Sequence, residues 1–232
     1  MAEESPNDND ISSPKEKAED AVRRDETYYY GGSYLVFQVE DRLFRLPSHP
    51  FENESDFFRD LFTLPQGNDS DSEGSSPTKP IFLPQNVRAE DFKNFIKALY
   101  PKPVPVHISL SHSEWISVLK LATEWNFLRL RKLAISQLEL LQKLSPLENI
   151  VLGRKCGIPS WVIVGLEAIV NRDTTISEEE ETDLDRDYVT TAYKLHRMRE
   201  QRIRGMKKDA IGETFKDHLE DIRARQRGYS DN

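Results

Sequence analysis

Cysteine is almost missing from this chain: Cys156 is the sole one in 232 residues. A single thiol closes no intrachain disulfide and cannot supply the cysteine pairs of a structural zinc site. Long apolar runs are missing too. No stretch approaches the roughly 18 consecutive apolar residues of a membrane-spanning helix. No apolar segment follows Met1, where acidic residues and prolines stand instead. These absences predict an intracellular protein, cytoplasmic or nuclear, that does not contact membrane. An excess of basic charge is also lacking, since 32 Lys and Arg stand against 40 Asp and Glu, a formal net charge of −8. That balance argues against a dedicated nucleic-acid binder, which pairs a basic footprint with phosphates. Only 37% of residues are hydrophobic and the mean hydropathy is −0.65, so part of the length lies outside any core.

What is present changes character along the chain. Residues 1–27 hold almost nothing to bury and predict a disordered acidic tail. Tyr28-Tyr29-Tyr30-Gly31-Gly32 opens the foldable part. Tyr34 to Val39 is dense in β-formers, and Arg42 to Leu46 follows after Glu40-Asp41, predicting a hairpin stopped by Pro47 and Pro50. Phe57, Phe58, Leu61 and Phe62 recur at helical spacing within Asn53 to Phe62. Residues 65–80 are polar, acidic and serine-rich; a solvated loop is preferred there over a phosphorylation segment. Ile81-Phe82-Leu83 predicts a short strand. Phe92, Phe95, Ile96, Leu99 and Tyr100 form the stripe of a helix that Pro101, Pro103 and Pro105 terminate.

From there the pattern is helix after helix. Capping-box spacing marks three starts, at Ser111 to Glu114, Ser145 to Glu148 and Ser177 to Glu180. Behind the first, Trp115, Val118, Leu119, Ala122 and Trp125 share a face, and Leu128 to Lys143 predicts the next helix. Gly157 suits a helix end, and Pro159-Ser160-Trp161 a new start running toward Asn171. The C-terminal region is basic through Lys194, Arg197, Arg199, Arg202, Arg204, Lys207 and Lys208. A sparse amphipathic stripe follows at Ile211, Phe215, Leu219 and Ile222.

Reactive chemistry is hard to find. His49, His107, His112, His196 and His218 fit no HExxH or related zinc pattern. His107 and His112 flank the proline connector, and a surface-loop role is preferred there over a weak metal site. Gly31-Gly32 lacks the surroundings of a phosphate-cradling loop. Cys156, at a helix end between Lys155 and Gly157, predicts a small buried hydrophobe rather than a reactive thiol. Glu178 to Glu181 point around a helix rather than at one cation. In the basic segment the acids Glu200, Asp209, Glu213, Asp217 and Glu220 are interleaved, which predicts a solvated charged face. No catalytic, cofactor-binding or metal-binding residue is assigned.

The order hairpin, helix, acidic loop, short strand, helix, proline connector, paired helices resembles the BTB/POZ domain. Ser55 to Phe62 is similar to that family's first long helix, with a serine three residues before a buried phenylalanine. Ile81 to Val87, then Asp91-Phe92 to Leu99-Tyr100-Pro101, resembles its central strand and the helix ending in a Leu-Tyr pair. Trp115 to Ala122 with Trp125-Asn126-Phe127, and Arg131 to Leu141, resemble its closing helices. The likeness is greatest to BTB proteins of mushroom-forming fungi, through the Ser-rich insertion and the segment Pro146-Leu147-Glu148 to Ile158-Pro159-Ser160-Trp161, and it covers about residues 28–185. Tyr34-Leu35-Val36 stands where the family often carries an aspartate, and Pro47 where it often carries a histidine. That charged pair helps line a dimer groove in many relatives, so the usual homodimer does not carry over directly. No hydrophobic-x-Glu motif of the cullin-binding relatives occurs between Pro103 and Glu114.

The resemblance implies an α+β fold: a small sheet flanked by helices over 28–143, containing the loop 65–80. A helical extension over 144–185 follows, then a charged helical tail over 186–232, either docked or partly disordered. It implies a non-enzymatic protein-interaction module without cofactor or small-molecule substrate, binding a protein partner or a second copy of itself. The alternatives are a substrate adaptor for a cullin-type ubiquitin ligase, and a transcription-associated factor touching nucleic acid through the basic helix.

Overall fold

Strand β1 (Tyr34–Val39) pairs antiparallel with β2 (Arg42–Pro47) over its full length, Tyr34 opposite Pro47 and Val39 opposite Arg42. Glu40 and Asp41 make the two-residue turn, and Glu40 takes the positive φ of 53° that such hairpins use at their first position. The computed structural model describes residues 33–63, 73–100, 109–205 and 210–229. The expected tail 1–27, Tyr28 to Gly32, residues 65–72 of the acidic loop, the proline connector with His107, and Lys207 and Lys208 lie outside them. A third strand, β3 (Ile81–Phe82), runs parallel to β1, giving the order β2-β1-β3. The architecture is α+β, with helices dominant. Among the described residues no helix is long and apolar enough to cross a membrane.

The single helix expected from Asn53 to Phe62 is two helices, α1 (His49–Glu54) and α2 (Asp56–Thr63). They part at Ser55, whose backbone is extended at φ −137°, ψ 115°. Its buried Oγ accepts from the Phe58 N–H at 3.1 Å and donates to the Trp125 carbonyl at 2.6 Å. Ser55 thereby starts α2 as an N-cap and ties it to a residue 70 positions away. Helical spacing alone carries no sign of that distant partner. Phe58 points into the core and Phe57 outward.

Helices α3 (Ala89–Leu99), α4 (His112–Glu124) and α5 (Leu128–Leu141) cover the inner face of the sheet. The core between them is aromatic: Phe37 lies 5.0 Å from Phe51, Phe58 5.7 Å from Trp125, and Phe95 5.1 Å from Phe127 by ring centroids. α5 stops at Leu141, short of the expected Lys143, because Gln142 turns left-handed.

Helices α6 (Pro146–Cys156), α7 (Pro159–Asn171), α8 (Glu178–Asp185), α9 (Thr191–Ile203), α10 (Ile211–Thr214) and α11 (Lys216–Arg227) follow. Both bonds of the capping box form at Ser111/Glu114, Ser145/Glu148 and Ser177/Glu180. Gly157 ends α6 at φ 65°. The stripe expected as one C-terminal helix is broken at Phe215, which leaves helical geometry at φ −111°, ψ 23°. Phe215, Leu219 and Ile222 nevertheless bury together with Ile150, Val162, Leu166, Ile169, Leu195 and Met198 in a second core. That core draws on residues from both the 144–185 and the 186–232 segments.

Arg131 joins the two cores. From α5 its buried guanidinium donates to the Cys156 carbonyl at 2.7 Å, and Tyr229, just beyond α11, lies 4.4 Å beneath it. Loss of hydration lowers the pKa of Arg131, a cost that the carbonyl and the ring offset.

Candidate interaction surface

Alternation along β1 sends Leu35, Phe37 and Val39 into the first core and Tyr34, Val36 and Gln38 to the opposite face. Register then fixes their neighbours on that outer face: Pro47 beside Tyr34, Arg45 beside Val36, and both Leu43 and Phe82 beside Gln38. Val36 is buried, but Tyr34 and Leu43 are each 53% exposed and Phe82 63%. The Arg45 guanidinium lies 4.6 Å above the Tyr34 ring. Three large apolar side chains on one small sheet face form a patch of the kind that marks binding surfaces. Other exposed apolar residues are scattered: Leu140, Val164 and Ile203 lie on separate helices and Val189 between α8 and α9.

The free side of β2 borders this face. Val36 donates its N–H to Gly74 at 2.8 Å and Gln38 accepts from Leu83 at 3.0 Å, so both turn away from β2. The backbone groups of their partners Leu43 and Arg45 therefore point away from β1. Pro47 ends that edge, and the Tyr100 hydroxyl donates to its carbonyl. Two arginines and a proline on six residues oppose strand-on-strand stacking. The sheet face, rather than its edge, is the accessible surface.

The candidate reactive residues scatter. His49 begins α1, His112 begins α4, and His196 on α9 bonds Glu181 at 2.7 Å. Cys156 is fully buried, and burial pushes its thiol pKa up, away from nucleophilic character. Among the described residues no three of His, Cys, Asp and Glu stand close enough to hold a metal ion. The acids of α8 diverge as their spacing requires: Glu180 pairs with Arg172, while Glu181 reaches His196.

Two members of the basic segment face inward. Arg199 is buried and donates to the carbonyls of Ile169, Arg172 at 2.9 Å and Thr174 at 2.7 Å. Arg202 donates to the Asn171 carbonyl at 2.6 Å and meets the Asp173 carboxylate at 3.2 Å. Both satisfy carbonyls at and beyond the C-terminal end of α7, where cations are favoured.

Sequence reasoning missed the largest polar feature. Arg154, on α6, is 1% exposed. It donates from Nε to His218 at 3.1 Å, from Nη1 to the Leu184 carbonyl at 2.6 Å and from Nη2 to Thr191 Oγ1 at 3.0 Å. Tyr188 stacks on His218 and lies 5.0 Å from the guanidinium; its hydroxyl donates to Asp221. Burial first, and the Arg154 charge second, lower the His218 pKa to about 3, so the ring is neutral. Burial brings Arg154 itself down to about 10. All three nitrogens of the Arg154 guanidinium are engaged with protein, which fastens α6, α8, α9 and α11 together, while His218 Nδ1 is buried without a partner. Arg154 sits in a run, Leu152-Gly153-Arg154-Lys155, that offers no local hint of burial.

Open clefts also mark the surface. One of 470 Å³ lies between Tyr193, Lys194, Arg197 and Glu213, and one of 390 Å³ between Leu138, Glu139, Trp161 and Val164. No histidine or cysteine lines either, and in the second the Trp161 indole donates to Glu139 at 3.0 Å. Comparison with protein-family models gives no match, and comparison with curated proteins gives none either.

Proposed function

We propose that this chain is a non-enzymatic protein-interaction module with a BTB/POZ-type core, docking its partner on the outer sheet face around Tyr34, Leu43 and Phe82. The carrying observation is that patch: three large apolar side chains exposed on one sheet face, Leu43 and Phe82 on either side of Gln38 and Tyr34 farther along β1. It is supported by the fate of the polar candidates, since Arg154, His218, Arg199 and Arg202 are engaged in holding helices together. The order of elements from β1 to α5 agrees with the family the sequence resembles. Binding would proceed by burial of the apolar patch, with Arg45 and Gln38 between its apolar side chains selecting polar complements.

The test is capture of partners from a lysate, with self-association read by light scattering, for the full chain and for Leu43→Asp/Phe82→Asp. Both changes sit on exposed positions, so folding is retained. The reading requires that the variant lose a partner, or the dimer, that the parent holds. Equal binding by both chains would move the interface elsewhere. A cullin in the captured set would specify the adaptor form of the module. Salt-dependent nucleic-acid binding lost with residues 194–227 would favour the transcription-associated form instead.

A further inference from the structure

The segment between Glu73 and Pro80 forms a turn that the interaction reading leaves without a role. Gly74 anchors its base: the Gly74 carbonyl accepts from Val36 at 2.8 Å and its N–H donates to Lys79 at 2.6 Å. Gly74 has φ +83°, and an added Cβ there would stand 2.9 Å from Ile81 Cδ1. At the tip, Ser76-Pro77-Thr78-Lys79 closes with the Lys79 N–H donating to Ser76 at 3.0 Å, with proline at the position such turns favour. Ser75, Pro77, Thr78 and Lys79 are exposed and Ser76 is half-buried. The Ser76 hydroxyl lies 2.9 Å from the Thr78 hydroxyl.

We propose that Ser76 is a phosphorylation site for a proline-directed serine/threonine kinase that selects a basic residue three positions downstream. Proline after the acceptor removes an N–H that a closed apolar pocket in the kinase would leave unpaired. Lys79 supplies the positive charge at the third position. The chain has three other Ser-Pro pairs, at Ser5, Ser13 and Ser145, and each has an acid at that third position: Asp8, Glu16 and Glu148. Ser145 is further occupied as the cap of α6, accepting from Glu148. The basic residue at the third position thus singles out Ser76.

The transfer uses a nucleoside triphosphate brought by the kinase. Ser76 Oγ forms a bond to the γ-phosphorus as the bond from that phosphorus to the β–γ bridging oxygen breaks. The diphosphate leaves with that oxygen, and the hydroxyl proton passes to the kinase's carboxylate base. For this the tip opens, releasing the bond from the Lys79 N–H to the Ser76 carbonyl and the contact between the Ser76 and Thr78 hydroxyls. Afterwards Thr78 Oγ1 can turn to donate to the phosphate, which adds close to two negative charges beside the sheet.

The experiment treats the full folded chain with a purified cyclin-dependent-type kinase and magnesium ATP, and maps phosphate by tandem mass spectrometry. Phosphate on Ser76 is expected, abolished in Ser76→Ala and Pro77→Ala, with kcat/KM lowered about tenfold in Lys79→Ala. Thermal melting of each variant confirms its fold, all three positions lying at the tip. The proposal is overturned if Ser76 stays unmodified in the folded chain while the urea-unfolded chain accepts phosphate. It is equally overturned if phosphate maps to Ser5 or Ser13 alone, or if Lys79→Ala reacts as the parent does.

Discussion

Arg154 and His218 meet at 3.1 Å, Nε to Nε2, across 64 residues of sequence, and neither side chain reaches solvent appreciably. The contact fixes the imidazole as an acceptor at Nε2. It therefore exists only while His218 is neutral.

From this follows a pH dependence with a definite sign. Burial and then the Arg154 charge depress the folded-state pKa of His218 from 6.5 to about 3. The unfolded chain binds a proton near pH 6.5 that the folded chain refuses. The contribution to stability is complete above that value and falls away as the pH drops toward 3, at up to about 1.4 kcal/mol per pH unit. Urea unfolding at pH 7.0 and 5.0 measures it. His218→Gln, whose side-chain oxygen can still accept from Arg154, should have a higher ratio of pH 5.0 to pH 7.0 stability than the parent. Identical ratios would mean that His218 titrates normally in the folded chain.

Removing the donor instead of the acceptor is costlier. Arg154→Met keeps most of the volume but leaves the Leu184 carbonyl, Thr191 and His218 without their partner. A loss of roughly 3 kcal/mol or more is expected. Arg154→Lys retains charge yet lacks the planar fork that reaches three acceptors, and should recover less than half of it. Limited trypsin digestion locates the damage: α9 to α11 should be cut first, while Phe37, Phe58 and Trp125 stay protected. Early cleavage within α3 or α4 would place the weakness in the other core.

The two cores were unequally legible in the sequence. A density of β-formers marked β1, partial alternation β2, and period 3.6 α3 and α4, because Phe37, Phe92, Phe95, Trp115 and Val118 each lie within the element whose pattern they help to mark. Three capping boxes were readable because each needs only two residues three positions apart. The second core was not. Its α9 carries Arg197, Arg199 and Arg202 and reads as a solvated charged face, yet Arg199 is buried because α7 presents unpaired carbonyls to it. The outer sheet face was also hidden, since exposure of Leu43 and Phe82 depends on the tertiary arrangement of the described residues around the sheet. Long-range polar satisfaction and uncovered area leave no local period.

Ser55 illustrates that limit and provides a direct measurement. Its hydroxyl serves Phe58 and Trp125 together in a site only 1% exposed. Ser55→Ala deletes the cap of α2 and leaves the Trp125 carbonyl buried, so a loss of about 1–3 kcal/mol is expected. Ser55→Thr retains the hydroxyl but adds a methyl to a closed site and should lose stability by overpacking. Differential scanning calorimetry separates the three chains. An alanine variant melting with the parent would show that neither bond contributes.

Helices α6 and α7 come close together at Gly165. A Cβ added there would lie 2.5 Å from the Pro146 carbonyl oxygen and 2.7 Å from Ile150 Cγ1, against backbone that cannot move aside without shifting α6 from α7. Gly212, in α10, has no atom within 4 Å of the same construction. The two alanine substitutions should therefore differ in sign. Gly212→Ala removes backbone freedom from the unfolded chain without a clash and should raise stability by about 0.5–1 kcal/mol. Gly165→Ala forces the α6–α7 pair apart and should cost about 1–3 kcal/mol or more. Urea midpoints for both variants, compared at constant m-value, read the contrast. A Gly165→Ala chain as stable as Gly212→Ala would mean that α6 and α7 pack less closely than these distances require.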